Sequence, residues 1–216
     1  MVHIISEDIP LVLEWINELR DIDIQQDRMR FRRNIERVGE AAALEISRHL
    51  KTEVVTLQTP LDKAESKRIA VQPVITTILR AGVPLFNGLL RYFDHADCGF
   101  VAAYRKHESN DYFSIKQDYL TCPDLSNRPL IVADPMLATG ASLLEAVEDL
   151  LTNGRPSQIH IVAVIASEKG VELVRQNYPE ARLWIGVMDS KLTSKGYISP
   201  GLGDAGDLSF GQKLQH

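Results

Sequence analysis

The sequence predicts an α/β fold, a parallel-sheet core flanked by helices, with an N-terminal helical extension and a flap or hairpin insertion. Three observations point there. Short apolar runs such as Val74–Leu79, Leu130–Ala133 and Ile159–Ile165 show no in/out alternation, as expected of strands buried on both faces. Segments with helical spacing separate such runs, at Val83–Tyr92, Leu143–Thr152 and Val171–Tyr178, which is the rhythm of helix-covered parallel strands. Two runs are followed by charged residues, Arg80 or Asp134. In a parallel sheet the carboxyl ends of the strands share one rim, where ligands bind.

Taken in order, the first fifty residues read as helical. Leu11–Leu19 carries apolar residues at helical spacing, and Met29–Leu50 continues through Phe31, Ile35, Val38, Ala42 and Ile46. Glu53–Leu57 and Val74–Leu79 then read as strands, followed by the Val83–Tyr92 helix and a strand at Gly99–Tyr104. Arg105–Asn127 is polar, with Tyr112–Ile115 and Tyr119–Leu120 inside it. An excursion of this length between core strands predicts a hairpin or an active-site flap. The strand at Leu130–Ala133, the helix at Leu143–Thr152, the strand at Ile159–Ile165, the helix at Val171–Tyr178 and a strand at Leu183–Val187 complete the core. The C-terminal segment contains Gly196, Gly201, Gly203, Gly206 and Gly211, with Tyr197, Ile198, Leu202 and Phe210 to anchor it. Such a segment is either a frayed tail or a place where backbone approaches a ligand closely. No repeat or linker interrupts the pattern, so residues 1–216 read as one domain, with a helical extension over 1–52 and a flap over 105–127.

The bulk composition excludes several classes. A net charge of −5 argues against broad nucleic-acid binding. No apolar run approaches the roughly 20 residues of a membrane span. The N-terminus lacks a basic region and a small-residue cleavage site, so a signal peptide is not expected. Cys98 and Cys122 form no C-x-x-C motif, which suits a reduced, cytoplasmic setting. The six histidines show no metal-binding spacing, so no metal held directly by the protein is expected. Arg28, Arg30, Arg32 and Arg33 form a basic run, but Asp21, Asp23, Asp27 and Glu36 surround it. That pattern reads as a solvated or subunit-pairing helix face.

The chemistry concentrates at three places. Asp134 stands at a strand end before the small and hydroxyl residues of Ala138–Ser142 and a helix start. A phosphate cradle there would use free helix N–H groups and the Thr139 and Ser142 hydroxyls. A capping box of Ser142 and Glu145 would use the same N–H groups for the helix itself. Asp134 favours the cradle, because a strand-end acid before Pro135 has no helix to cap and suits sugar hydroxyls as an acceptor. Arg80 precedes a tight turn at Ala81–Gly82, and Arg105 follows Ala103–Tyr104 at the next strand end. Two arginines and an anion-binding helix on one rim describe a polyanionic ligand, since Arg grips phosphate bidentately.

These residues resemble a known family. Asp134–Ser142 resembles the phosphoribosyl pyrophosphate (PRPP) loop of type I phosphoribosyltransferases in its uracil-specific form. Ile78–Gly82 is similar to that family's pyrophosphate loop, and Tyr197–Asp207 to its uracil-binding segment, so the resemblance spans nearly the whole chain. It implies the type I phosphoribosyltransferase fold and the reaction of uracil with PRPP to give UMP and diphosphate, in pyrimidine salvage, with Mg²⁺ bound through PRPP. It implies that Asp134 holds the ribose hydroxyls and that the loop of Pro135, Met136, Leu137, Ala138, Thr139, Gly140, Ala141 and Ser142 binds PRPP, with Ala138–Ser142 around the 5′-phosphate. Arg80 and Arg105 would face the pyrophosphate, and Asp204 would sit near PRPP and its metal. Ile198, Gly203, Asp204 and Ala205, within a nucleobase-binding segment at 196–211, would border uracil. The N-terminal helices are the expected material for a homodimer or higher homo-oligomer, and GTP is a candidate effector; the subunit number and nucleotide control lie beyond the sequence alone.

Three departures from the family pattern stand out. Ala141 replaces a second glycine common in the loop, Lys106–Tyr112 does not follow the usual flap sequence, and Leu208–Ser209 stands where an Arg is common. Two other readings stay open from sequence: a non-catalytic PRPP- or UMP-sensing RNA-binding regulator, and a phosphoribosyltransferase for another base. The acidic balance and the intact Gly201–Asp207 run disfavour the regulator.

Overall fold

A computed structural model describes the backbone of residues 1–108 and 112–213, and the side chains of these residues except 103–108 and 112–118. The chain starts with a strand where a helix is expected. Val2–Ile4 (β1) is followed by a short helix, Ile5–Asp8 (α1), and by Pro10–Arg20 (α2) and Arg28–Ser47 (α3). Proline at the start of α2 suits a position whose N–H has no helical partner. Asp27 caps α3 by accepting the N–H groups of Met29 and Arg30. β1 pairs in parallel with a strand nearly 180 residues later, Val2 opposite Leu183. That pairing is why three residues that carry no strand pattern of their own become one.

Next comes a hairpin of Thr52–Gln58 (β2) and Lys63–Ile69 (β3), antiparallel and in a sheet of its own. The expected strand at Glu53–Leu57 therefore exists but does not join the core. Its neighbour β3 carries Lys63, Glu65, Lys67 and Arg68, and such charge density cannot be buried between helix layers.

Val74–Leu79 (β4), Val83–Leu90 (α4), Asp97–Glu108 (β5), Tyr112–Thr121 (β6), Pro129–Ala133 (β7) and Met136–Leu137 (β8) follow. β5 and β6 form the antiparallel hairpin expected of the 105–127 excursion. After them come Ala141–Leu151 (α5), Gln158–Ser167 (β9), Glu168–Asn177 (α6), Arg182–Asp189 (β10), Lys191–Leu192 (β11), Ile198–Ser199 (β12) and Ala205–Phe210 (α7). The main sheet runs β1-β10-β9-β7-β4-β5-β6, with β8 on β9, and every pair is parallel except β5–β6. The carboxyl ends of β4, β5, β7, β9 and β10 thus share one rim.

Strand parity sorts the core into two layers. Ile75, Ile131, Ala133, Val162, Val164 and Trp184 face α1–α4 on one side. Val74, Leu130, Val132, Ile161, Ala163, Leu183 and Ile185 face α5 and α6 on the other. Burial on both faces explains the unbroken apolar runs. The first layer depends on a close crossing of α3 and α4, where a Cβ on Gly88 would lie 2.0 Å from the Glu36 carbonyl oxygen. Cys98 and Cys122 are free thiols, and burial pushes the Cys122 thiol up to about 11. Among the described residues, no helix is long and apolar enough to cross a membrane.

Candidate active site

The rim is assembled by strand register. Thr77 of β4 stands opposite Ala133 of β7, so Arg80 and Asp134 emerge from neighbouring strands. Leu79 stands opposite Ala102 of β5, which brings the backbone of Arg105 to the same rim; its side chain lies outside the described residues. Beyond Asp134 the chain kinks through Pro135, whose carbonyl accepts the N–H groups of Val164 and Ile165 at 3.0 Å. Asp134 itself is anchored through its N–H to the Val162 carbonyl at 3.1 Å. One carboxylate oxygen accepts the Met136 N–H at 3.3 Å. The residue keeps an edge in solvent, yet protein surrounds the carboxyl closely enough that desolvation pushes its pKa up to about 7, with the Met136 bond pulling weakly the other way. Among the described residues the Met136 N–H is the one hydrogen-bond partner of this carboxyl, which leaves acceptor capacity that a ligand can take up.

The segment expected to cradle a phosphate follows. Gly140, with φ of 85°, is the N-cap of α5, and no side chain caps that helix. The capping box of Ser142 and Glu145 does not form, because the helix begins at Ala141 and Ser142 is already inside its first turn. Capping chemistry needs its hydroxyl residue just outside the helix. The left-handed conformation falls on Gly140, and Ala141 is helical; the glycine absent at 141 therefore relieves no strain. The N–H groups of Ser142 and Leu143 precede the bond from Leu144 N–H to the Gly140 carbonyl, so they have no carbonyl one turn back. Ala141 N–H reaches the Thr139 hydroxyl at 3.4 Å.

The loop is nested on α6. Ser167, the last residue of β9, donates its hydroxyl to the Ala138 carbonyl at 2.6 Å and accepts the Gly170 N–H at 2.9 Å. A Cβ on Gly170 would stand 2.5 Å from that same carbonyl oxygen, so only glycine lets the loop settle there.

Arg80 follows a cis peptide at Leu79–Arg80. Its guanidinium donates to Asp207 at 3.1 Å and to the Gly211 carbonyl at 3.3 Å. Asp207 in turn donates its N–H to the carboxylate of Asp204, the N-cap of α7, at 2.9 Å. The side chain of Arg80 stays 45% exposed, so its grip on Asp207 is open to exchange with another anion. Gly82 permits the tight turn behind it, since a Cβ there would meet the Thr77 hydroxyl at 2.1 Å.

The C-terminal glycine segment is built rather than frayed. β12 pairs with β11, and Ile198, Leu202 and Ala205 are buried. Gly201 and Gly203 take φ of 64° and 93°, a region other residues rarely enter. The N-terminal helices hold this segment. Arg32 of α3 donates to the Ser209 carbonyl at 2.7 Å, while Arg30 pairs with Glu18 and Arg33 with Glu36 and Glu40. Gln25 and Arg28 share with Gly203, Asp204 and Asp207 a cleft of about 490 Å³.

Sequence reading missed two rim residues, Ser167 and Asp189. Both obey the strand-end logic that found Arg80 and Asp134. The expected strands stopped at Ile165 and Val187, two residues short of where β9 and β10 end.

Comparison with known proteins gives a consistent result. The family model for uracil phosphoribosyltransferase matches residues 6–212. The uracil phosphoribosyltransferase of Porphyromonas gingivalis is 46% identical over 99% of both chains. That of Pyrococcus furiosus is 36% identical over 97% of this chain and 90% of its own. Among solved structures, the AQ2163 protein from Aquifex aeolicus superposes with a TM-score of 0.87 at 27% identity, covering both chains completely.

Proposed function

The chain belongs to the uracil phosphoribosyltransferase family, and from that premise we propose how its rim residues divide one substrate pair. It carries the pentosyltransferase activity of pyrimidine salvage, joining uracil to PRPP to give UMP and diphosphate. Asp134 accepts the ribose hydroxyls. Ala138–Ser142 cradle the 5′-phosphate, with Pro135–Leu137 leading into them. Arg80 and Arg105 take the diphosphate, Asp204 stands beside PRPP, and Ile198, Gly203 and Ala205 border uracil.

The observation that carries this reading is a desolvated carboxyl at Asp134, with the Met136 N–H as its one partner among the described residues, six residues ahead of a left-handed Gly140 at the start of α5. Sugar hydroxyls and a phosphate are the groups that such a pair complements. In the reaction the bond from the anomeric carbon to diphosphate breaks. Uracil N1 forms the new bond from the opposite face and releases its proton to water. Arg80 offsets charge growing on the leaving oxygens, and the incoming diphosphate competes with Asp207 for it. Positioning and charge supply the rate.

Mg²⁺ fits this donor set. It favours substrate phosphates, water and one or two carboxylates over an all-protein cage, and the rim offers Asp204 beside the PRPP site, with no cluster of three potential ligands among the described residues. When bound with the diphosphate it supplies further charge neutralisation.

The single-domain reading of residues 1–216 is part of the proposal, supported by β1 lying in the main sheet. A homo-oligomer is supported by Val54, Leu57 and Leu61, exposed on the β2–β3 hairpin, and sedimentation tests it. The activity test is direct: uracil, PRPP and Mg²⁺ with purified protein yield UMP, whereas hypoxanthine and orotate yield no nucleotide. Absence of UMP from folded protein overturns the reading. Adding GTP to the same assay tests it as an effector.

A further inference from the structure

We propose that Asp189 is a positioning residue for the nucleobase, transmitting the rigidity of the N-terminal helices to the uracil-binding turn. The inference rests on the reading of residues 198–205 as the uracil site. Asp189 ends β10 on the ligand rim and is only 9% exposed. One carboxylate oxygen accepts the Arg20 guanidinium at 2.9 Å, and the other accepts the Gly201 N–H at 2.9 Å. Gly201 lies between Ile198 and Gly203, the residues that border uracil. A Cβ on Gly201 would stand 2.0 Å from the Ile198 carbonyl oxygen, so this turn is tight as well as left-handed.

A glycine-rich segment that reads a base through backbone groups has few side chains with which to hold its own shape, and glycine is the most flexible residue. The clamp must come from outside. Asp189 provides it at the centre of the turn, and Arg20 fixes Asp189. Arg20 is itself the last residue of α2, and its carbonyl accepts the Gln25 side-chain amide at 3.1 Å. The path therefore runs from α2 through Arg20 and Asp189 to Gly201. A buried carboxylate stripped of its cation is costly, so loss of Arg20 loosens the turn without touching the PRPP side of the rim.

Steady-state kinetics on the full chain test this, with Arg20→Gln, Asp189→Asn, the double variant and Ala205→Val. Asp189→Asn keeps an acceptor for Gly201 but loses the charge. Arg20→Gln and Asp189→Asn each raise the KM for uracil about tenfold, as expected for one charge-assisted hydrogen bond, while the KM for PRPP and kcat stay within about twofold. The double variant adds little to either single change, because both act on one path. Should Asp189→Asn fail to fold, Arg20→Gln answers the question alone. If Ala205→Val, on the segment itself, leaves the uracil KM untouched, the nucleobase reading fails. If Ala205→Val raises it but the Arg20 and Asp189 variants raise both KM values together, or neither, Asp189 is merely structural and the proposal is overturned.

Discussion

The two ends of the parallel sheet bury titratable groups in opposite ways. At the carboxyl rim, burial raises the pKa of Asp134 to about 7, and among the described residues the Met136 N–H is the one group that opposes it. At the amino end, His160 is pushed down to about 3, first by burial and then by Arg182, His49 and His3. Here the ring is served on both sides. Its Nδ1 accepts the Trp184 indole N–H at 3.0 Å and its Nε2 donates to Gln158 at 3.0 Å, while His3 stacks on the same indole at 4.3 Å. Burial alone therefore does not mark a functional site. The Asp134 carboxyl leaves hydrogen-bonding capacity that a ligand can take up, whereas both nitrogens of the His160 ring are taken by protein groups, even though His3 Nε2 and Arg182 Nη1 beside it have no partner among the described residues.

The contrast breaks most visibly at Asp134. Asp134→Asn is expected to lower turnover by roughly two to three orders of magnitude, the scale of losing one electrostatic stabiliser, while thermal melting above pH 7 moves upward because the costly charge is gone. Full activity in the folded variant would remove Asp134 from the ribose site. Arg80→Ala is expected to cost about two orders of magnitude in turnover, with no large change in melting, since its Asp207 partner is solvent-accessible. At the other end, His160→Leu should leave kcat unchanged and lower stability by about 1–3 kcal/mol in urea unfolding, the penalty of a buried indole N–H without an acceptor. A drop in kcat at constant stability would show that the amino end is not merely structural.

The pH dependence separates the two ends with the smallest effect. The folded pKa of Asp134 lies above its unfolded value, so the protonated acid favours the fold, and this contribution is lost as pH rises through about 7. The proposed ribose contact draws on the ionised form, so the KM for PRPP should fall about tenfold between pH 6 and 8, a slope that Asp134→Asn abolishes. His160 has the opposite sign. Its pKa is depressed in the fold, so its contribution is full above pH 6.5 and declines as pH falls toward about 3. Denaturant titrations at pH 4, 5 and 7 read this loss, and constant stability across them would contradict the neutral His160.

Much of the rim was legible in sequence because its signals are local. Asp134 and Arg80 each follow an unbroken apolar run, and Ala138–Ser142 precede a periodic helix. Each of these patterns fits within about a dozen residues. Arg32 shows what such a window misses. Its acidic neighbours make it look like part of a solvated face, yet its guanidinium reaches Ser209, 177 residues away. Ser142 fails for a subtler reason: a capping box and a phosphate cradle share one sequence pattern, and the start of α5 at Ala141 is what rules out the box.

By itself the sequence determined the parallel α/β core, the rim and its charged strand ends, because hydrophobic periodicity records directly which faces must leave water. Tertiary structure alone decided that Val2–Ile4 is a strand, that β2 and β3 leave the core, and that Ser167 and Asp189 secure the Ala138 loop and the glycine turn. The physical reason is the same in each case. Periodicity states that a face is buried, but the partner that buries it, or that accepts a hydrogen bond there, lies far along the chain and is chosen only when the layers pack.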